Sequence, residues 1–432
     1  MKYIPSSRQL IMPPANQYDA AFFEYHDIEE AVNQYYSLEL DMIEPSLEEY
    51  GDQFWQTLTG EQAQRYLPVL TFMIQSVVTT EQKQHWTRQY SLASARIYGK
   101  PEASEVRRLA CRSYHYLKNV ADKNGQRSDD LTRLFDTYRS ICDGYAEADS
   151  TDDESDLLRR ISEILNDNYG DIYAVVDDEF NEDSLIKVND VQRLYSAMLE
   201  RMAAKFDNWS EWSVVIHAGA QMSVSPVRRQ IRIGRHLPSL PAKRVKSLFT
   251  HEVLVHAARA VGGLPYTEQL AYGMPGYSES EEGLGVLMEA AIEGGMPHRV
   301  VDRYIDIALA LGMFDMPALS RQDLFKIALA RTKLRQIDAG LQVEEETTNR
   351  AVWQHVNRIY RGTLGNEIIG VMTRDVIYYH GYKAMADYLE RYRTRDLRQA
   401  LRFVLSSKIN PVDQDHRAYF HAVKFNIDQG DA

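Results

Sequence analysis

The chain has 432 residues, enough for two or three domains and a large buried core. With 44% hydrophobic and 26% charged residues it has the balance of an ordinary soluble globular protein, and no apolar run approaches the length of a membrane span. A formal net charge of -13 excludes a nucleic-acid binder, which needs a basic footprint.

The N-terminal stretch MKYIPSSRQLIMPPANQYDAAFF has neither an uninterrupted apolar core nor a small-residue cleavage site, so no signal peptide is expected. Two cysteines, Cys111 and Cys142, make neither a metal-type spacing nor a disulfide framework. A cytoplasmic protein, with no membrane and no nucleic-acid partner, is the simplest expectation. Up to Gly144 the chain reads as helical: EEAVNQYYSLELDMI and SEVRRLACRSYHYLKNVADK carry apolar residues at helical spacing. The acidic, turn-rich AEADSTDDESD, Ala146 to Asp156, reads as a linker or exposed loop.

Beyond it the texture changes. DIYAVVDDEF, Asp171 to Phe180, reads as a short β-type run. VNDVQRLYSAMLERMAAKF reads as a helix with Asn189 or Asp190 as N-cap. SVVIHAGA and RRQIRIGRH read as strands. A helix follows, starting at about Ser239 and ending at Gly262-Gly263, and later helices fill Ser280 to Glu293, Arg321 to Asp338, Glu344 to Tyr360, Thr373 to Arg393 and Asp396 to Ser406. Between Glu211 and Glu252 there is no Asp or Glu, while Arg228, Arg229, Arg232, Arg235, Lys243, Arg244 and Lys246 all fall inside. This stretch is either a solvated surface or a positive field beside a site that takes an anionic substrate.

It runs into HEVLVHAARA, His251 to Ala260. A hydrolytic zinc site needs three protein ligands, one open position and a nearby base. Two histidines on one helix serve if they share a face. In a regular α-helix the fourth residue on returns to within about 40°, but the fifth lands about 140° away. His251 and His256 are five apart, so a shared metal requires an irregular turn, a π-bulge at Val253 to Val255. Downstream, SESEEGLGVLMEAAIEGG puts Glu281, Glu282 and Glu289 on one helix, with Glu282 and Glu289 on one face. A carboxylate from a second helix is a usual third ligand, and the Glu281–Glu282 pair offers one ligand and one partner for a ligating imidazole. Without a metal the same residues are separately satisfied histidines and a solvated acidic helix start.

The segment HEVLVHAARAVGGLPYTEQLAYGMPGYSESEEGLGVLMEAA resembles the microtubule-associated tyrosine carboxypeptidase family, including bacterial relatives with an H-E-x-x-x-H helix, a "GLAGY" segment and a "T-Q-E-G-L-A-V-L-x-E" helix. Here these read GMPGY (Gly273 to Tyr277) and SEEGLGVLME from Ser280, with Glu281 in place of the usual Gln and Gly285 in place of Ala. Leu254 and Val255 stand where Gly and Thr are usual. ARIYGKPE (Ala95 to Glu102), RIYRGT (Arg358 to Thr363) and TRDVIYYHGY (Thr373 to Tyr382) resemble its outlying "YGxP" and "RG…TKD…YLxG" elements.

The resemblance implies Zn2+ held by His251, His256 and Glu282, Glu252 as general base, and metallocarboxypeptidase activity on the C-terminal residue of a peptide or protein, tyrosine or another aromatic or hydrophobic one. It does not imply tubulin as the substrate. An exopeptidase also needs a cationic clamp for the terminal carboxylate and an oxyanion donor. Arg361, Arg374 and Lys383 are candidates for the first, Tyr379 or His380 for the second. The rival readings are a dipeptidyl peptidase or aminopeptidase of the H-E-x-x-G-H type and a non-enzymatic, metal-stabilised regulatory protein. The expected fold class is α+β, predominantly helical: an N-terminal helical region over residues 1–165 and, over 166–432, a zincin-like metallopeptidase core with a small mixed β-sheet. By analogy with such cores, the strand Arg229 to Arg235 is expected to pair with extended substrate.

Overall fold

The helical spacing of SEVRRLACRSYHYLKNVADK is realised as a helix over Ala103–Lys123, which buries Val106, Leu109, Ala110, Leu117 and Val120 along one stripe. The computed structural model describes residues 46–143 and 154–428, apart from 48, 183, 220 and 342. The predicted helix at EEAVNQYYSLELDMI and most of the predicted linker lie outside the described residues. The chain is predominantly helical with two small sheets. No described helix is long and apolar enough to cross a membrane.

The chain divides into two units, Met1–Ser150 with Val301–Val376 and Thr151–Val300 with Ile377–Ala432. The sequence-based boundary between residues 165 and 166 falls within the helix Ser155–Asp177.

The first unit is all helical in its described part. Helices Leu67–Ser76 and Thr80–Tyr98 pack around Trp55, Leu70, Ile74, Trp86 and Tyr90. Two cysteines read as thiols are instead bonded to each other: the helices Ala103–Lys123 and Asp129–Cys142 bring the Cα atoms of Cys111 and Cys142 to 5.4 Å.

This unit buries a charged pair. Arg331 donates to both oxygens of Asp306, at 2.8 and 2.6 Å, while Tyr138 and His355 complete the cluster. Burial pushes the Asp306 carboxyl up, but Arg331 and His355 outweigh it and hold it down at about 2. A depressed carboxylate stabilises the fold above its ordinary pKa of 3.8 and loses that contribution as pH falls towards 2. Acid unfolding of the full chain should therefore contain a loss of about 2 kcal/mol in that window. Asp306→Asn should remove it and cost about 3 kcal/mol at neutral pH, because Arg331 stays buried and charged. Urea unfolding at several pH values measures both effects.

The second unit carries the sheets. β1 (Leu185–Ile186) pairs antiparallel with β5 (Leu240–Pro241). β2 (Ser213–His217), β3 (Ser223–Ser225) and β4 (Gln230–Gly234) form a mixed sheet in the order β2-β4-β3, with β2 parallel and β3 antiparallel to β4. Ile231 and Ile233 of β4 are buried, as their alternation with arginines predicts. Two expectations are corrected. DIYAVVDDEF is not a strand: through Asp177 it is the last part of the helix Ser155–Asp177, whose Leu158, Ile161, Leu165, Ile172 and Val176 share one buried face. And β4 is bonded on both sides, so it has no free edge to offer a substrate. The helix predicted over 188–206 spans Val188–Lys205 with Lys187 at its N-cap position, which puts Asn189 and Asp190 in the first turn rather than at the cap.

Candidate metal centre

The motif lies on one continuous helical run. Ala242–Phe249 is α-helical, Thr250–Ala257 is a π-helix and Ala258–Gly263 is α-helical again. The irregularity demanded by the five-residue spacing is thus present and wider than predicted. Its i→i+5 bonding returns the fifth residue to the starting face. Val253, Leu254 and Val255 are all buried, so the bulkier Leu254 and Val255 sit in the core and leave the histidine face clear.

The two imidazoles meet the acidic helix Ser278–Glu293. His251 Nε2 and His256 Nε2 lie 3.0 Å apart, and Glu282 Oε2 lies 3.7 Å from the first and 3.8 Å from the second. These are the three groups among the described residues whose ligand atoms cluster as a metal site requires. Ligands about 2.05 Å from a tetrahedral zinc stand about 3.3 Å apart, so the observed triangle brackets that spacing. The donor set, two imidazole nitrogens and one carboxylate, also suits zinc.

Each ring is gripped from behind. His256 Nδ1 donates to Glu281 Oε1 at 2.9 Å. Glu289 Oε1 lies 2.5 Å from Nδ1 of His251, off the line of its N–H. Each carboxylate is in turn held by two cations. Arg259 and Lys408 donate to Glu281, and Arg244 and Arg299 to Glu289. Arg259 is fully buried and also donates to the carbonyl oxygens of Ser407 and Ile409. Burial disfavours charge on His251, but Glu289 and Glu282 outweigh it and raise its pKa to about 10. Burial pushes Glu282 up, yet both imidazoles bring it down to about 2, so it is an anion at neutral pH.

Glycines bring the helices this close. A Cβ at Gly285 would lie 2.5 Å from Cε1 of His251, so the ring rests on the bare backbone. A Cβ at Gly283 would lie 1.9 Å from the Gly381 carbonyl carbon on the helix Val376–Glu390. Glu252 is half-buried next to His251, and no hydrogen bond or ion pair reaches its carboxylate among the described residues. The helix Val376–Glu390 carries Tyr379, which is buried, His380, which is half-buried, and Lys383, whose Nζ lies 3.5 Å from Glu154. Arg361 and Arg374 belong to the other unit.

Much of the basic stretch is internally matched. Arg229 pairs with Glu211, Lys243 with Glu182 and Lys246 with Asp177, while Arg244 is part of the centre itself. The roles of Arg259, Lys408, Arg244 and Arg299 were missed from sequence. For Arg259 a signal existed: a cation three residues after a ligand histidine, in an otherwise apolar turn.

Residues 145–310 match the microtubule-associated tyrosine carboxypeptidase family. The resemblance seen in HEVLVH and SEEGLGVLME thus holds over the span that contains both helices of the centre. The blocks at 95–102 and 358–382 lie outside the span matched to the microtubule-associated tyrosine carboxypeptidases. No match was found among curated proteins.

Substitution of Glu281 gives a direct test. Glu281→Gln would leave Arg259 and Lys408 buried against a neutral amide, loosening the grip on His256. Zinc affinity, measured by chelator competition, should fall by about tenfold or more. An unchanged affinity would show that the Glu281 contact does not position the ring.

Proposed function

We propose that this chain is a zinc-dependent metallocarboxypeptidase that removes the C-terminal residue, tyrosine or another aromatic or hydrophobic one, from a peptide or protein. The observation that carries the reading is the convergence of His251, His256 and Glu282 on one point with Glu252 beside it and unengaged. The family match supports peptidase chemistry.

His251, His256 and Glu282 would hold the ion, which would supply Lewis acidity and make a water acidic near neutral pH. Glu252 takes the proton of the attacking water and passes it to the leaving amine. Glu281 and Glu289 keep both rings turned with Nε2 forward. The centre sits in a zincin-like core. The edge strand β3, which packs beside the π-helix, replaces β4 as the strand that aligns extended substrate. Of the clamp candidates, Lys383 lies in the same unit as the metal centre, with its Nζ 3.5 Å from Glu154. Tyr379 is buried, which favours the half-buried His380 as oxyanion donor. A cytoplasmic location belongs to the same proposal, and there the Cys111–Cys142 pair would stand reduced. Tubulin is not part of it.

The test is a library of peptides varied at the last residue, incubated with zinc-loaded protein and read by mass spectrometry. Loss of one C-terminal residue is expected, with C-terminally amidated peptides intact. Trimming from the N-terminus would favour the dipeptidyl reading, and no cleavage with one zinc bound would favour the regulatory one.

A further inference from the structure

The π-turn that puts His251 and His256 on one face competes with a regular α-helix of the same residues, which is the commoner form by far. Closing up into that helix would turn one end of the run about 100° against the other and change its length by about 1.5 Å. It would also part the imidazoles. Both ends of the π-segment Thr250–Ala257 carry a stop against it.

At the C-terminal end the stop is backbone on backbone. A Cβ at Gly262 would lie 2.2 Å from the Ser406 carbonyl oxygen, and one at Gly263 would lie 2.1 Å from that of Leu270. Arg259 adds its bonds to the carbonyl oxygens of Ser407 and Ile409.

At the N-terminal end the stop is a hydroxyl. Thr250 donates to the Lys246 carbonyl oxygen, one turn back, at 2.8 Å. That uses its single proton, so the Tyr173 hydroxyl, 2.8 Å away, donates to Thr250 Oγ1. Both side chains are buried, and Tyr173 comes from a separate helix, Ser155–Asp177. A threonine bonded back to the carbonyl of the preceding turn bends a helix. Here that bond sits where the α-helix gives way to the π-segment. Other contacts hold the backbone less directly. Val253, Leu254, Val255 and Ala257 are buried and apolar, and apolar contact has no direction. His251 and His256 meet Glu289 and Glu281 through rings that can swivel. The Thr250 oxygen is one bond from Cβ, so a partner that holds it holds the backbone.

We propose that Tyr173 and Thr250 are positioning residues for the metal centre: their hydrogen bond locks the π-register and so keeps both imidazoles on one face. The inference rests on the zinc part of the reading above and not on hydrolysis.

The test compares Thr250→Val, Tyr173→Phe, the double substitution and Thr250→Ser in the full-length chain. Zinc affinity is measured by chelator competition, and ligand geometry by the visible absorption of cobalt(II) in place of zinc. Amide hydrogen exchange over residues 250–257 and thermal unfolding are measured without metal. Each single loss of a hydroxyl should weaken zinc binding by about tenfold or more, while Thr250→Ser, which keeps the hydroxyl, stays near the parent.

The double substitution separates positioning from folding. Thr250→Val strands the buried Tyr173 hydroxyl and should lower the unfolding midpoint, and removing that hydroxyl as well should restore most of it. The register lock is still missing, so zinc affinity should stay low and the cobalt spectrum should depart from the parent's. Exchange over 250–257 should be about tenfold faster than in the parent. With a merely structural role, affinity and spectrum would recover with the midpoint. Parental affinity or parental exchange in the double variant would overturn the proposal, as would a Thr250→Ser variant as weak as Thr250→Val. If the double variant does not fold, Tyr173→Phe, which strands no buried donor, carries the same readouts. A parent chain that binds no zinc sinks the zinc reading, and the exchange measurement alone then decides the lock.

Discussion

Glu252→Gln is expected to bind zinc like the parent chain and to hydrolyse peptides at least about a thousandfold more slowly, within the range for loss of a positioned general base. The amide is nearly isosteric with the carboxylate, and Glu252 makes no hydrogen bond or ion pair among the described residues, so the fold loses nothing by the change. The ligand triangle of His251, His256 and Glu282 is likewise untouched. What disappears is the group that can take a proton. Zinc content by mass spectrometry and kcat on a peptide cleaved by the parent form a paired readout. Normal zinc with full activity would remove Glu252 from the mechanism. Lost zinc would show it to be structural.

A large effect on both folding and the metal centre is expected at Gly283. A methyl group there would lie 1.9 Å from the Gly381 carbonyl carbon, and the opposing atom is backbone, which no rotamer change can move. Gly381 is equally committed, since a Cβ there would meet the Glu279 carbonyl oxygen at 2.0 Å. Gly283→Ala must push the helices Ser278–Glu293 and Val376–Glu390 apart, at a cost of about 3 kcal/mol, the upper range for overpacking. The displacement would also carry Glu281 and Glu282 away from the imidazoles. Both the urea midpoint and zinc affinity should fall together. A variant that lost neither would show that the glycine contact does not fix the acidic helix.

The centre was unusually legible because its chemistry constrains geometry. Two histidines five apart cannot share a metal on an α-helix, so the spacing itself demanded the π-turn that Thr250–Ala257 supplies. The seven-residue interval between Glu282 and Glu289 placed both on the face that meets His251. Local windows failed where a segment belongs to something longer. Ile172 to Val176 look β-like in isolation, yet they close a 23-residue helix whose earlier apolar positions set the period. The cations behind the imidazoles were hidden for another reason. Lys408 lies 127 positions from Glu281, and only tertiary packing turns it into a support for a ligand. The free edge of β3 was hidden too, because strand order is not written in any one strand.

The cation pairs behind the rings bear on how strongly a bound ion would act. Glu281, Glu289 and Glu293 pair with Arg244, Arg259, Arg299 and Lys408, while Glu282 faces the two imidazoles. In formal charge these four carboxylates and four Arg and Lys side chains cancel. A divalent ion coordinated there would find its field offset by Glu252 alone, leaving a net positive charge facing the substrate. Such a frame favours an electrophile over a structural rivet.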